Sequence, residues 1–511
     1  MQTGTGLRPK AVLAAGLSLA VFSPAAWATN GYFSHGYSTA QRALGGAGTA
    51  LPEDGLIGSI NPAGTVWVGD RTELSLSMFT PIRDFSASER GEGASNGIVT
   101  LSPVQELRSH NEYYPIPALG YTRRWGEKSN WGVALYGNGG LNTEYLGSTA
   151  TFGQGLTGFE AECEGALGGG QPLGEDNAGF CGGNGRRAGV DMMVLFLTPS
   201  VSTKLGERSS VGFAPVLSMA RFAAQGLGAF RQFSNAPDKV SNNGHELTFG
   251  AGYRVGLLTG LLPGINLGAS YQSRIWMEPF EDYAGLFAGQ GDFDIPETWN
   301  AGLALRLGER QRLLVDYQFI AYSQIASVGN PLDPNVFVNQ CAIPRLFAGM
   351  GFGEAEQSPA CLGASTGPGF GWQDMEIWKV GYQYRLVGTT FRLGYSQTKQ
   401  PIPSTEVLFN TLAPGVIEKH YTAGLSFRWS ESLIIETSLM YGQGKDVRGK
   451  NPLSNTEANL ISLLGAGSGL DPITGLISPE TANAFGPDEN DQDLTLRMDQ
   501  YEITLGLSWR Y

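Results

Sequence analysis

The residue types that could carry out chemistry are few and widely spaced. Histidine, the side chain that most often serves as a catalytic base or metal ligand, occurs four times in 511 residues. The four are His35, His110, His245 and His420. His245-Glu246 begins like a zinc-protease motif, but Phe249 occupies the place of the second histidine. With no G-x-S-x-G elbow and no GK[ST] phosphate loop either, we predict no enzymatic activity, no metal and no other cofactor.

The composition points away from a soluble domain. Charged residues make up 16% of the sequence, against about 25% in typical soluble domains. Glycine occurs 73 times and aromatic residues make up 11%, a balance typical of exported β-barrels. The formal net charge of −13 disfavours nucleic acid as a partner, because phosphate recognition needs a basic surface.

The N-terminus has the layout of a targeting segment. Arg8 and Lys10 precede an apolar stretch over 11–22, and Ala26-Trp27-Ala28 fits a small-residue cleavage site. The stretch is too short for a membrane-spanning helix, which needs about 20 apolar residues. A buried core helix is the alternative. We predict a signal peptide over 1–28 and an exported chain.

Apolar and polar residues alternate in many segments of slightly more than ten residues. In the last segment the apolar series is Tyr501, Ile503, Leu505, Leu507, Trp509 and Tyr511, and the residues between are polar or glycine. A strand with this pattern has one face in lipid and the other in a polar interior. A soluble sandwich alternates too, but aromatic residues that close strands, such as Trp429 and Trp509, favour a membrane barrel.

Fourteen strand candidates follow from this pattern, and the connections between them alternate between short and long. The candidates lie near 71–80, 113–125, 130–145, 190–205, 209–221, 245–258, 264–280, 292–308, 310–325, 372–386, 388–400, 415–430, 431–445 and 494–511. Short turns at one end and long loops at the other are typical of outer-membrane barrels. We therefore predict an all-β fold, a 14-stranded antiparallel transmembrane barrel over 71–511.

The four cysteines form two close pairs, and both pairs fall in predicted long loops. Cys163 and Cys181 lie in the loop predicted over 146–189, and Cys341 and Cys361 in the loop over 326–371. Exported proteins meet an oxidising compartment, so we predict the disulfides Cys163–Cys181 and Cys341–Cys361.

Residues 29–70 precede the first strand and do not alternate. They are rich in glycine and alanine, and they would form either a flexible tail or a plug in the lumen. Asn30, the glycine-rich stretch 45–48, Asp54 and Asn61-Pro62-Ala63 resemble the N-terminal hatch of the FadL family, the outer-membrane long-chain fatty-acid transporters. The stretches 135–142, 295–299, 401–403 and 421–424 resemble later blocks of that family.

The resemblance implies a barrel plugged by a hatch over 29–70, with a kink in the third strand that opens the wall sideways. It places Asn61, Pro62 and Ala63 in the hatch, and Gly137, Gly139 and Gly140 at the kink. A glycine-rich strand interior tolerates bulges, which makes a kink physically reasonable. The alternatives are that the glycines only relieve crowding and that the Asn-Pro-Ala is an ordinary turn.

The function implied is passive uptake of a hydrophobic small molecule by a monomer in the Gram-negative outer membrane, surrounded by lipid and lipopolysaccharide. Long-chain fatty acids are the leading ligand, and aromatic or alkane hydrocarbons are the alternative. A barrel enzyme such as a phospholipase and a general polar porin are the rivals from other classes. Candidate ligand contacts in long loops are Phe152, Leu156, Phe159, Phe222, Leu227 and Phe230, unless these pack the loops against the rim. Arg254 and Arg428 are candidates for a ligand carboxylate, unless they pair with acids in the lumen.

Overall fold

The computed structural model describes residues 29–89, 99–101, 103–146, 150–151, 187–349, 356–454 and 491–511. The predicted signal peptide, the Cys163–Cys181 pair and the candidates Phe152, Leu156 and Phe159 lie outside these residues. Within them, no helix has the length and apolar character needed to cross a bilayer.

Fourteen long strands form one closed antiparallel barrel in the described part of the chain. They are β1 Arg71–Ala87, β2 Tyr114–Trp125, β3 Ser129–Leu146, β4 Arg187–Lys204, β5 Ser209–Gln225, β6 Glu246–Leu262, β7 Ile265–Gln272, β8 Thr298–Arg306, β9 Gln311–Ile320, β10 Met375–Leu386, β11 Thr389–Thr398, β12 Ile417–Arg428, β13 Leu433–Gly444 and β14 Asp493–Arg510. Each pairs with its neighbours in chain order, and β14 pairs with β1 from Leu494 opposite Ala87 to Arg510 opposite Arg71. The predicted fold is confirmed.

The two faces of the barrel wall follow the alternation in the sequence. On β14, Tyr501, Ile503 and Leu505 are 48%, 49% and 62% exposed, whereas Glu502 and Thr504 between them are buried. On the outer face of β11–β14 four tyrosines stand opposite one another, with ring centroids 5.3, 6.3 and 5.3 Å apart. They are Tyr395, Tyr421, Tyr441 and Tyr501. An aromatic row at one height is typical of the membrane–water boundary of such barrels.

The predicted alternation of connections is confirmed. Short turns lie at 126–128, 205–208, 263–264, 307–310, 387–388 and 429–432, and the other connections are long. All the short turns therefore lie at one end of the barrel, called here the short-turn end, and the long loops lie at the other, the long-loop end. The first strand differs from the prediction because it continues past residue 80 to Ala87, where it still pairs with β14.

The strand predicted over 264–280 is interrupted. β7 ends at Gln272, and the short strand Trp276–Met277 pairs with β6 one residue out of step, opposite Ala251 and Gly250. Ser273 causes the interruption, because its hydroxyl accepts the Tyr253 N–H at 3.0 Å in place of a ladder carbonyl. The shift of one residue in the register marks a β-bulge, and the alternation of apolar and polar residues does not reveal its position.

Shorter elements lie inside the barrel and on its long-loop end. The hatch, residues 29–70, contains short strands Thr29–Asn30 and Phe33–Ser34, helices α1 Thr39–Ala43 and α2 Thr65–Val68, and 3₁₀ turns Ile57–Ser59 and Pro62–Gly64. The long loops contain short strands Thr100–Leu101, Val104–Arg108, Ala150–Thr151, Trp276–Met277 and Val447–Lys450, and helical segments Gly228–Phe233, Pro237–Lys239, Glu281–Tyr283, Ala288–Gly291, Tyr322–Gln324, Ala326–Gly329, Pro334–Phe337, Val338–Ala342, Ile343–Gly349, Ser404–Glu406 and Val407–Asn410.

The predicted disulfide Cys341–Cys361 is present, with the two Cα atoms 5.1 Å apart. Both cysteines are buried in the long connection between β9 and β10. The bond closes this connection on itself and does not join it to the barrel wall, so its effect is local.

Replacing both cysteines should therefore loosen this connection and leave the barrel intact. A disulfide across a sequence separation of 20 residues restrains the open loop by about 3 kcal/mol. In the double variant Cys341→Ser, Cys361→Ser we expect limited proteolysis to cut between β9 and β10 about a hundredfold faster. The folded barrel should keep its fast electrophoretic mobility in unheated samples. Equal cleavage rates in the variant and the parent protein would contradict this prediction.

Candidate functional site

The hatch is seated on the wall through the Asn-Pro-Ala sequence. Asn61 caps the turn Pro62–Gly64 by accepting the Ala63 N–H at 3.1 Å. Its Nδ2 donates to the Leu257 carbonyl of β6 at 3.0 Å and to the Thr49 carbonyl of the hatch at 2.9 Å. One side chain thus fixes a hatch turn, a second hatch segment and a barrel strand.

Two lumen-facing glycines make this close approach possible. A Cβ atom at Gly256 on β6 would lie 2.0 Å from Asn61 Oδ1, and one at Gly212 on β5 would lie 2.3 Å from the Pro62 carbonyl carbon. Any side chain at either position would push the hatch away from the wall, so the backbone contact requires glycine there.

Buried charges hold a second part of the hatch. The Glu53 carboxylate forms ion pairs with Arg312, Arg385 and Arg392 on the adjacent strands β9, β10 and β11, at 3.2 Å from Arg312 and from Arg392. Burial by itself raises the pKa of Glu53, but the three guanidinium groups outweigh it and lower that pKa to about 2. The carboxylate is therefore charged at any physiological pH, and removing it would leave three arginines without their shared counter-charge, of which Arg392 is buried.

A third contact brings two histidines together. His35 of the hatch stacks on His420 of β12, with ring centroids 5.4 Å apart and an interplanar angle of 14°. Arg42, on α1 beside them, forms an ion pair with Glu502 of β14, and Lys379 of β10 donates to the His35 carbonyl at 3.4 Å. Burial, and then the charges of Arg42 and Lys379, lower the pKa of His35 to about 3. The imidazole in the seated hatch is therefore neutral.

The lumen wall of β1–β5 is polar in one half and apolar in the other. Toward the short-turn end its buried residues are Arg71, Glu73, Ser75, Thr122, Asn130, Ser200, Ser202 and Ser210. Toward the long-loop end the buried lumen residues are apolar, and we call this part of the lumen surface the outer apolar wall. It consists of Phe79, Phe85, Tyr114, Ile116, Leu141, Tyr145, Met192, Val194, Phe196 and Val216. The residues that anchor the hatch lie among the polar groups. The apolar half lies nearer the long-loop end and faces the long loops.

The barrel wall has a gap beside this apolar half. The ladder between β2 and β3 runs from Trp125 opposite Ser129 to Leu119 opposite Leu135 and ends there, although both strands continue. Pro115 and Pro117 have no N–H, yet β2 keeps its pairing with β1 through both residues. The edge of β2 that faces β3 is therefore the edge that lacks these two N–H donors. Above the gap, contact resumes where the His110 N–H donates to the Glu144 carbonyl at 2.8 Å.

The glycines expected at the kink lie along this gap. The register between β3 and β4 shifts between Gly137 and Gly139, which leaves Asn138 as an extra residue in a bulge. Beyond it β3 pairs with the hatch, because Gly139 stands opposite Phe33 and the Gly140 N–H donates to the Tyr32 carbonyl at 3.1 Å. The gap, the bulge and the N-terminal end of the hatch therefore meet at one place.

The three described candidates for ligand contact are buried around an aromatic cluster at the long-loop end. The prediction that all three lie in long loops is wrong for Phe222, because β5 continues past residue 221 to Gln225 and Phe222 pairs there with Met192 of β4. Phe222 is the centre of this cluster, with its ring centroid 4.7 Å from Phe287, 4.8 Å from Tyr283 and 5.5 Å from Phe280. Leu227 and Phe230 are also buried, and the structure thus gives all three a packing role in addition to the ligand role predicted for them.

The two candidate arginines lie far apart. Arg254 is buried in the lumen, where it donates to the Gly58 carbonyl at 3.3 Å and the Tyr136 hydroxyl at 2.9 Å, and also contacts Ser59 and Gln272. These acceptors make it a further anchor of the hatch. Arg428 is the last residue of β12, exposed at the short-turn end and away from the apolar wall.

Several residues of this site were missed from the sequence. Glu53, Arg312 and Arg385 lie far apart in the chain, and each reads as a single charge near a glycine-rich segment or a strand end. Their positions in the alternating pattern place the arginines on the lumen face of their strands, but the pattern does not indicate which acid faces them. Tyr32 and Phe33, which meet the bulge, carried no motif beyond the resemblance.

Deleting residues 31–50 should turn a closed barrel into an open channel. Fourteen strands leave a lumen wide enough to conduct when nothing fills it, and these residues supply the contacts with β3 and with β9–β12. We expect large steady single-channel currents from the deletion variant in planar bilayers. We expect brief partial openings from Glu53→Gln, and none from the control Glu89→Gln at an exposed site. A deletion variant as silent as the parent protein would show that this segment does not close the lumen.

Seating of the hatch should weaken on acidification through His35. A released imidazole takes up a proton near its ordinary pKa of 6.5, but the seated one, with its pKa lowered to about 3, does not. Stability of the seated state therefore falls as the pH drops below about 6.5, by about thirtyfold in the seating equilibrium near pH 5. Channel openings should rise accordingly, and His35→Gln should remove this pH-dependent increment. An increment of the same size in the variant would exclude His35 as its source.

The comparisons with known proteins give one consistent result. No family model matches the sequence, and no curated protein matches it. Among solved structures, a Pseudomonas aeruginosa FadL homologue is 13% identical, with 94% of this chain and 99% of that chain covered and a TM-score of 0.57. The Pseudomonas putida toluene transporter TodX is 16% identical, with 94% and 100% covered and a TM-score of 0.55. At these identities the likeness establishes the fold, and the resemblance to the FadL family is confirmed at that level: this chain folds as the FadL homologue and the toluene transporter do.

Proposed function

We propose that this protein takes up hydrophobic compounds passively across the outer membrane of a Gram-negative cell, with long-chain fatty acids as the leading substrate. The observation that carries the proposal is the gap in the ladder between β2 and β3, which lies beside the outer apolar wall. The solved structures with the same fold support it, since they include a FadL homologue and a toluene transporter. A monomer surrounded by lipid and lipopolysaccharide stays our expectation.

Entry from the outside needs no energy source beyond the ligand gradient. Each methylene group moved from water to an apolar surface contributes about 0.8 kcal/mol. At the long-loop end, Phe230 and Phe222 at the end of β5 are buried in the same apolar cluster as the outer apolar wall. A chain-like ligand that binds the loops therefore meets apolar contacts without a break until it reaches the gap.

Exit sideways through the gap avoids displacing the hatch, which a path along the barrel axis would require. The hatch fills the polar half of the lumen with charged and hydrogen-bonded groups such as Glu53, and wall residues such as Arg254 bond to it. A lipophile that crossed this half would have to displace those groups. Leaving sideways into lipid costs little, because lipid tails are as apolar as the wall. The same plug argues against a general polar porin.

Aromatic hydrocarbons are the second candidate, and one observation favours them. A chain of aromatic rings leads from the long-loop end to the hatch, with centroid distances of 4.7 Å from Phe222 to Phe287, 4.9 Å to Phe293 and 6.1 Å to Tyr32. Flat rings stack well on such a series. Uptake of a labelled fatty acid and of labelled toluene by the same cells would separate the two substrates.

Deleting Asn138 should abolish uptake. Without the extra residue, β3 would keep one register with β4 along its length and lose the bend at the bulge, which should bring it closer to β2 and narrow the gap. We expect at least a tenfold fall in the uptake rate in cells, with the barrel folded as judged by its electrophoretic mobility before and after heating. The control Asn138→Gly keeps the bulge and removes only the amide side chain, so it should transport at close to the parent rate. Full activity in the deletion variant would exclude the lateral route.

A further inference from the structure

Arg83 is a buried cation in the apolar half of the lumen. It lies on the lumen face of β1, 4% exposed, two residues before Phe85 and directly opposite Met498 of β14. Its guanidinium group stands over the Tyr114 ring, 5.7 Å from the centroid. Phe85 in turn packs edge-on against Tyr145 of β3 at 5.0 Å, so the charge is surrounded by aromatic groups.

Only two acceptors, both neutral, contact this guanidinium group in the described part of the chain. Nη2 donates to the Asn111 carbonyl at 2.7 Å and to the Tyr114 hydroxyl at 3.0 Å. Nε is buried and has no acceptor there, a feature that Arg83 shares with several other lumen arginines. Like Arg71 and Arg254, Arg83 forms no ion pair with a described carboxylate, but unlike them it makes no hydrogen bond to the hatch.

The nearest acids are engaged elsewhere. Asp84, the next residue on β1, points to the other face and pairs with Arg497 at 3.0 Å. Asp191 is linked to Tyr114 only through Asn142, and its carboxylate pairs with Arg221 at 2.9 Å. His245 approaches the same Asp191 oxygen at 2.8 Å.

The other buried cations of the described residues belong to the hatch contact. Each of them is on the hatch or bonds to it: Arg42, Arg71, Arg254, Lys379 and Arg392. Arg83 makes no hydrogen bond or ion pair to the hatch, so it does not serve to seat it. A buried guanidinium without a carboxylate is costly, and the cost is offset when an anion binds.

Arg83 also lies beside the proposed exit. Tyr114, which it contacts, is the first residue of β2 at the edge of the gap. Tyr145 and Leu141 of β3 face the same space from the other side, and Phe79 packs near Tyr114 with centroids 6.5 Å apart. An alkyl chain on these side chains would have its head at Arg83.

We propose that Arg83 binds the carboxylate of a long-chain fatty acid whose tail lies on the outer apolar wall. This inference rests on the proposed uptake function and selects within it a carboxylate-bearing amphiphile over a neutral hydrocarbon. The bond is a charge-assisted hydrogen bond made by the donors that have no protein acceptor, in surroundings from which water is largely excluded.

The test compares two ligands of equal length, dodecanoate and dodecanol, on the full-length barrel in nanodiscs at about pH 8. We expect the parent protein to bind the acid at least tenfold more tightly than the alcohol, the usual effect of a charged hydrogen bond. Arg83→Gln should lose this preference and keep its affinity for the alcohol. Arg83→Lys should retain part of the preference, and Arg497→Gln, on the outer face at the same height, should retain all of it.

Three results distinguish failure of this inference from failure of the proposed uptake function. A parent protein that binds both ligands without preference, or an Arg83→Gln variant that keeps the preference, overturns the inference and leaves the uptake proposal standing. A parent protein that binds neither ligand overturns both. If Arg83→Gln fails to fold, the apolar variant Arg83→Met is measured in its place, and an unchanged preference for the acid in that variant overturns the carboxylate assignment.

Discussion

The structure depends on one constraint: in a bilayer, every backbone N–H and C=O must find its partner within the protein. Closure of β14 onto β1 satisfies that constraint for the sheet as a whole. Where the ladder between β2 and β3 ends, the hatch supplies a substitute, because the Gly140 N–H donates to the Tyr32 carbonyl. The ladder between β2 and β3 therefore ends only where the hatch provides hydrogen bonds in its place. The gap and the hatch thus depend on each other.

The second organising feature is the division of the lumen into a polar and an apolar half. Ion pairs such as Arg42–Glu502 and the three arginines around Glu53 hold the hatch in the polar half. Buried ion pairs add little net stability, but breaking one leaves an uncompensated charge, so they define a single seat for the hatch. The apolar half lies beside the gap in the β2–β3 ladder, and in the proposed function it is the half that a lipophile would contact.

Much of the fold could be predicted because its signals are local. Alternation identifies a strand from its own residues, as in β14, and the lengths of the connections give the two ends of the barrel. The bulge at Ser273 was missed because a hydroxyl that replaces a ladder carbonyl leaves the alternation almost unchanged. Arg254 and Arg428 show the same limit in the site. Both have lumen parity, yet one is covered by hatch carbonyls and the other is exposed at the strand end.

By itself the sequence determined the number of strands, which face of each meets lipid, the two ends of the barrel and the cysteine pair Cys341–Cys361, since all of these follow from neighbours along the chain. Only the tertiary structure decided which charges meet. Glu53 finds arginines more than 250 residues away, and Arg83 finds no acid among the residues that the structure describes, because the packing of the hatch and wall sets both environments. Parity assigns a side chain to the lumen, but only the folded chain decides what faces it there.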